Sequence, residues 1–229
     1  MWIYVTDSYI YYDRELLFGG WVRFVTCLTG ASGIIYGLRL IDFLSGAGHE
    51  VITIYSKAAL NVAEAELTAK DVFLKMIRSR SLEIYAEDDV TSPLASSSNL
   101  VDIEATVIVP CSIRTLTNIA NGNAVNLIVR VALNTLRLGK KLVLVPRETP
   151  LGYIELRNML EVVKAGAVLI PAMPAFYHNP KDLKDLIDFV VGKVLDVLGI
   201  KHDLYRRWRG EVPTQPSYLC VQLFGSECS

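Results

Sequence analysis

Six short apolar runs recur along this chain, and none alternates with polar residues as a half-exposed strand must. They are "VRFVTCLT", "EVITIYS", "LEIY", "ATVIVP", "KLVLVP" and "AVLIP". A strand that is apolar on both faces is buried on both faces, the environment of a parallel sheet between two helical layers. The segments between them carry helical periodicity. "IIYGLRLIDFLSGAG" is the first, and others are expected from about Lys57 to Leu67, onward to about Arg78, and after "CSIRTLTNIANG" to about Leu138. Two more run from about Tyr153 to Lys164 and from about Pro180 to Leu198. The alternation predicts an α/β chain: a Rossmann-like (flavodoxin-like) doubly wound parallel sheet in three layers, α/β/α.

The rhythm occupies residues 22–210, read as one domain; 229 residues suffice to bury a full core. Residues 1–21 form a tyrosine-crowded N-terminal extension without clear register, for which an added element, a disordered arm and an upstream mis-start all stay open. Residues 211–229 form a C-terminal tail that has lost the rhythm and either wraps a neighbour or stays loose. A net charge of −1 argues against a general nucleic-acid binder. No apolar run approaches the roughly 18 residues of a membrane span, and the N-terminus lacks a secretory pattern. A cytoplasmic protein is expected. Cys27, Cys111, Cys220 and Cys228 form no CxxC pair and read as buried thiols. His49, His178 and His202 have no metal-ligand spacing, and Glu87–Asp89 reads as a solvated loop.

In a doubly wound sheet ligands bind beyond the carboxyl ends of the strands, so the residues after each strand are the candidates. After the first comes Thr29-Gly30-Ala31-Ser32-Gly33, small residues that let helix-start N–H groups approach a phosphate. It is not the GxGxxG of a dinucleotide site. After the second come Ser56 and Lys57, and after "ATVIVP" come Ser112, Arg114 and Thr115. Each hydroxyl is also what an N-cap needs for backbone reasons alone. After "KLVLVP" stand Arg147 and Glu148, and after "AVLIP" stands Tyr177.

Taken together, "TGASGIIYGLRL", "YSKAA", "PCSIRTL", "LVLVPRETPL" and "PAMPAFYHNP" resemble the flavin prenyltransferases of the UbiX/Pad1 type. The resemblance covers about residues 22–210 and implies transfer of a dimethylallyl group from dimethylallyl phosphate to N5 and C6 of reduced FMN. The prenylated FMN would serve UbiD-type decarboxylases. By resemblance, Gly30, Ala31, Ser32, Ser56, Ser112, Ile113, Arg114, Thr115 and Arg147 match flavin-binding positions. Tyr177 and Lys193 match the positions that hold the prenyl phosphate, while Arg130, Arg137 and Glu148 match further active-site residues. The family's homo-oligomers, usually dodecamers with the site between subunits, imply the same here.

Four positions depart from the family pattern: Arg114, Arg137 and Lys193 exchange one cation for another, and Ser97 stands where a flavin-loop glycine is usual. The residues themselves suit metal-independent transfer. Arg137, Arg147, Lys193 and the Tyr177 hydroxyl form a cationic cage in place of Asp-rich magnesium motifs. Glu148 is the acid placed to move a proton; its structural alternative is an ion pair with Arg147. The competing readings are a flavin-dependent cysteine decarboxylase, weakened because no histidine follows "SKAA", and an FMN-binding electron carrier, which needs no second phosphate site.

Overall fold

The computed structural model describes residues 22–210 and 214–228, plus the backbone of a two-stranded ladder pairing Val5–Thr6 with Tyr9–Ile10. The rest of the N-terminal extension lies outside the described residues.

The six apolar runs become six parallel strands: β1 (Arg23–Leu28), β2 (Glu50–Tyr55), β3 (Glu83–Ala86), β4 (Ile103–Cys111), β5 (Lys141–Pro146) and β6 (Val168–Leu169). Their order across the sheet is β3-β2-β1-β4-β5-β6. This is the Rossmann order, whose direction reverses between β1 and β4. Side chains along a strand alternate faces, and here each face meets its own core. Phe24 and Leu28 of β1 join one buried cluster, packed by α1 (Ile34–Gly46) and α7 (Leu183–Leu198). Val25 and Cys27 join the other, packed by α4 (Ile113–Ala120), α5 (Leu127–Arg137) and α6 (Tyr153–Lys164). With both faces covered, neither set can be polar, which explains the missing alternation.

Between β2 and β3 the chain makes two helices, α2 (Lys57–Glu66) and α3 (Lys70–Arg78). α2 begins beyond the end of β2, yet its last residue reaches the start of α1, so it rims the carboxyl edge and leaves the return to α3. α7 starts at Leu183 rather than near Pro180, because Asp182 is its N-cap and accepts from Asp185 N at 3.0 Å.

The cysteine reading holds for two of four. Cys27 and Cys111 are free and buried, and burial pushes the Cys111 thiol up to about 12 and Cys27 higher still. Cys220 and Cys228 instead form a disulfide, with Cα atoms 5.9 Å apart, closing the tail around α8 (Tyr218–Phe224). Tyr218 N donates to Asn179 Oδ1 at 2.8 Å, so the tail lies against its own chain. The solvated-loop reading fails at Glu87, whose carboxylate accepts from Lys57 N at 2.9 Å and Asn126 Nδ2 at 2.6 Å. It joins the starts of α2 and α5.

Candidate active site

The crevice between β1 and β4 is closed at its base by Thr29, only 1 % exposed. Its hydroxyl donates to Pro110 O at 2.7 Å and accepts from Ser112 N at 2.7 Å. One buried side chain thus fixes the glycine turn against the start of α4. The motif contained Thr29, but nothing in the sequence assigned it this role.

Gly30 is required by packing: a Cβ there would meet Ala58 Cβ at 2.4 Å. Ser56 and Ser112 are both caps, accepting from Ala59 N at 3.0 Å and Thr115 N at 3.3 Å. The amides of Gly33 and Ile34 are already taken. Glu66 accepts from Gly33 N at 2.9 and 3.1 Å and from Ile34 N at 3.1 Å, placing a carboxylate at the positive end of the α1 dipole. Sequence reasoning missed Glu66 because two consecutive helices after β2 gave no hint that the first lies across the edge. Among the described residues, the amides of Gly30 and Ser32 and the side chains of Lys57 and Arg114 have no protein partner. The two cations line a cavity of about 560 Å³ between the ends of β2 and β3 and the starts of α4 and α5, together with Glu87 and Asp88.

Arg147 Nε donates to Ser32 O at 3.3 Å, tying the end of β5 to the glycine turn. Glu148 is exposed and accepts from its own Thr149 N at 3.0 Å; among the described residues it makes no ion pair with Arg147. Tyr36 stands near both Arg147 and Glu66: burial raises its pKa, Arg147 opposes and Glu66 adds to the rise.

A second group gathers around Tyr177. Its ring meets Phe189 at 5.7 Å and Trp208 at 5.8 Å. Lys193 Nζ lies 5.4 Å from the Phe189 ring centre and 5.0 Å from that of Tyr205. Gly192 permits this, since a Cβ there would meet Tyr205 Cδ1 at 2.6 Å and His202 Cε1 at 2.8 Å. Asp196 gathers the segment that follows α7, accepting from Tyr205 OH, from Arg207 Nη2 and, at 3.0 Å, from His202 Nε2. Burial works to raise the Asp196 pKa, but the hydrogen bonds from Arg207, Tyr205 and His202 win and hold it below the usual carboxylate range. Tyr205 is raised, first by burial and then by Asp196. Trp208 was not singled out from the sequence; no strand end points to it.

Arg130 and Arg137 are not brought to this group. Both are exposed on α5, which starts beside Glu87 and ends with Arg137 at the opposite edge of the sheet. Arg137 Nη1 donates to Asn134 Oδ1 at 3.0 Å, and the six residues of β5, roughly 17 Å, separate that edge from Arg147. Ser97 opens a short 3-10 helix (Ser97–Leu100), and its φ is not positive, so a serine is accommodated there without strain. Among the described residues no three His, Cys, Asp or Glu side chains cluster to hold a metal ion.

The sequence model of the Flavoprotein family matches residues 20–195. Flavin prenyltransferase UbiX of Saccharolobus solfataricus is 47 % identical over 82 % of this chain and 92 % of its own. The enzyme of the same name from Methanocaldococcus jannaschii is 46 % identical over 82 % and 98 %. Among solved structures, AnUbiX in complex with FMN and dimethylallyl pyrophosphate superposes with a TM-score of 0.78, at 36 % identity over 83 % of this chain and 99 % of that one. A dodecameric FMN-dependent UbiX-like decarboxylase from Escherichia coli O157:H7 gives 0.77, at 34 % identity over 82 % and 100 %. Peptidyl-cysteine decarboxylase EpiD shares the fold alone, at 21 % identity over 76 % and 99 % and a TM-score of 0.55.

Proposed function

This chain belongs to the Flavoprotein family, and we propose that it is a flavin prenyltransferase, transferring a dimethylallyl group from a prenyl phosphate to N5 and C6 of reduced FMN. The observation that carries the reading is the wall of Tyr177, Phe189, Tyr205 and Trp208 with Lys193 over it, near a strand edge suited to a flavin. An ammonium and a phenol suit a departing phosphate, and aromatic faces suit the allylic cation it leaves behind. An electron carrier needs neither, and a cysteine decarboxylase is not favoured at this level of identity to UbiX enzymes.

The residues fit FMN. The free amides of the glycine turn and the start of α4, with Arg114, offer a phosphate its donors, and Gly30, Ala31, Ser32, Ser56, Ser112, Ile113, Arg114 and Thr115 form its cradle. Bound reduced FMN supplies the nucleophilic atoms. Arg147 holds the turn and adds positive charge beside it, Tyr177 and Lys193 hold the leaving phosphate, and Glu148 takes up and returns the proton. Incubation with reduced FMN and dimethylallyl phosphate, followed by mass measurement of the flavin, tests the reading. A flavin of unchanged mass would refute it.

We infer a homo-oligomer, with the dodecamer as its form, in which Arg137 and Arg130 serve a neighbour's site. The resemblance assigns both to the active site, while α5 carries Arg137 away from its own. The surface a second copy would cover is α6. Its buried face is Asn158, Met159 and Val162, yet Tyr153, Leu156, Leu160 and Val163 make an exposed apolar stripe at spacings of three and four. Leu156→Glu with Leu160→Glu should yield monomers in light scattering, and activity should fall with assembly; unchanged mass would remove α6 from the interface.

Among the described residues no helix is long and apolar enough to cross a membrane. The cytoplasm is the compartment we assign, since the acceptor must stay reduced, and a UbiD-type decarboxylase is the recipient we assign to the product.

A further inference from the structure

Lys193 is half-buried on α7, yet among the described residues its ammonium makes no hydrogen bond and no ion pair. The carboxylate one helical turn away, Asp196, is already occupied by Tyr205 OH, Arg207 Nη2 and His202 Nε2. What Lys193 meets instead are rings, with Nζ 5.4 Å from the centre of Phe189 and 5.0 Å from that of Tyr205. Phe189 precedes it by four residues on the same helix and so shares its face. Tyr205 comes from the segment after α7 and has to be brought there. Its hydroxyl donates to Asp196 Oδ2, and its ring packs 4.9 Å from that of Phe189. Gly192 leaves it room, since a Cβ there would meet Tyr205 Cδ1 at 2.6 Å and Cε1 at 2.7 Å. The Arg207 guanidinium also lies over Tyr205, 5.7 Å from its centre, but that cation is paired with Asp196. Lys193 is not.

We propose that Tyr205 is a positioning residue for prenyl transfer: with Phe189 it holds the Lys193 ammonium by ring faces alone, so that the charge is placed without being neutralised. The proposal rests on the prenyltransferase reading and adds a residue to it. A carboxylate at this place would hold the ammonium too, but would cancel the charge that a phosphate needs. A ring quadrupole attracts a cation and carries no net charge of its own. The four-carbon stem of lysine has many rotamers, and two ring faces restrict them before the donor arrives. Burial and then Asp196 raise the Tyr205 pKa, so its hydroxyl stays protonated and remains the donor that anchors the ring. Tyr205 takes no part in the bond change; it acts through Lys193.

The test is a double-mutant cycle of Tyr205→Leu and Lys193→Met, reading kcat/KM for dimethylallyl phosphate beside FMN affinity. With Lys193 present, Tyr205→Leu should lower kcat/KM about tenfold, the size of a lost partly desolvated cation–π contact, and leave FMN affinity at the wild-type value. In the Lys193→Met background the same substitution should cost less than about twofold, because the ammonium it served is gone. A tenfold fall in both backgrounds would make Tyr205 a packing residue and overturn the proposal. Tyr205→Phe keeps the ring and loses the bond to Asp196, so it should stay within about threefold of wild type. If the leucine variant does not fold, phenylalanine with one, two or three ring fluorines at position 205 answers the same question. Each fluorine weakens the quadrupole with little change in size, so kcat/KM should fall stepwise; a flat series would overturn the proposal. Every one of these failures leaves the wild type able to prenylate. Failure of the prenyltransferase reading looks different: the wild type itself would leave the mass of the flavin unchanged.

Discussion

The two halves of the candidate site are built from different materials. The flavin half, from the glycine turn to the start of α4, is held by backbone amides, cap hydroxyls and the buried Thr29 hydroxyl, all within a few residues of two adjacent strand ends. The donor half is held by long side chains from three separate segments: Tyr177 after β6, Phe189 and Lys193 on α7, and Tyr205 to Trp208 beyond it. The first is part of the sheet's own hydrogen bonding, so it cannot shift without the core. The second hangs on the Asp196 carboxylate and on ring contacts. A cradle built into the sheet beside a wall held by side chains suits a reaction in which one ligand is held throughout and the other departs in pieces.

The largest effect should come at the acid that follows β5. Glu148→Gln keeps size and removes the titrating oxygen, so FMN and donor affinity should persist while turnover falls by roughly 10²–10⁴-fold, as for a lost acid or base. Single-turnover flavin spectra beside equilibrium binding measure it. Near-normal turnover would reduce Glu148 to the backbone contact it makes with Thr149.

Next in size is a charge set against the cradle. Ser32→Asp should weaken FMN binding by about 100-fold or more, as two like charges near 4 Å repel by about 4 kcal/mol at an effective dielectric of 20. Donor contacts at Tyr177 should be untouched, so the surviving flavin-bound fraction should show an ordinary donor KM. A donor KM that rises in parallel would mean that the two halves are not separable.

The same difference in material governs what was legible in advance. The parallel sheet was readable because double burial leaves an unmistakable apolar run, and the flavin half was readable because caps follow strands at fixed offsets. Glu66 was not, since its place on the α1 amides depends on α2 crossing the edge, a matter of tertiary direction and not of periodicity. Trp208 and the Asp196 cluster were not, because a ring contact with Tyr177 and the folding back of the segment after α7 onto Asp196 leave no periodicity to read. Arg137 could be placed on a helix but not at the wrong edge of the sheet until the strand order was known. The Cys220–Cys228 pairing was missed because two cysteines eight residues apart match no CxxC spacing, and only the turn of the tail after α8 brings them together.

A smaller effect should separate the halves by titration. The carboxylate pKa of Asp196 is depressed in the folded chain, so its contribution is complete above the unfolded value and is lost as pH falls through the folded one. The caps of the flavin half do not titrate there. Asp196→Asn should therefore raise donor KM about tenfold at neutral pH and leave FMN affinity near wild type. It should also remove acid-side loosening of Trp208, followed by tryptophan fluorescence below the ordinary carboxylate range. Trp2 and Trp21 also emit, so the comparison is with Trp208→Phe in the same background. An Asp196→Asn enzyme that loses flavin as readily as donor would tie the two halves together.

The smallest effect concerns the tail. The Cys220–Cys228 bridge closes a short loop around α8, which is joined to the loop of Tyr177 through Tyr218 N and Asn179 Oδ1. Disulfides are rare in a reducing cytoplasm outside hyperthermophiles, so the bridge would be open for part of the protein's life in the compartment proposed here. Its loop is short, so opening it should release little chain entropy and leave the cooperative unfolding of the sheet unchanged. What it should change is the order of the Tyr177 loop. Cys220→Ser, or reduction of the wild type with dithiothreitol, should raise donor KM no more than about twofold, within the free energy of the one hydrogen bond that ties α8 to Asn179. FMN affinity should not move at all, because no contact runs from the described tail to the cradle. Hydrogen exchange at Tyr177 and Asn179 would report the loosening directly. If reduction released flavin, the tail would belong to the flavin half; if it left exchange in that loop untouched, the tail would belong to neither.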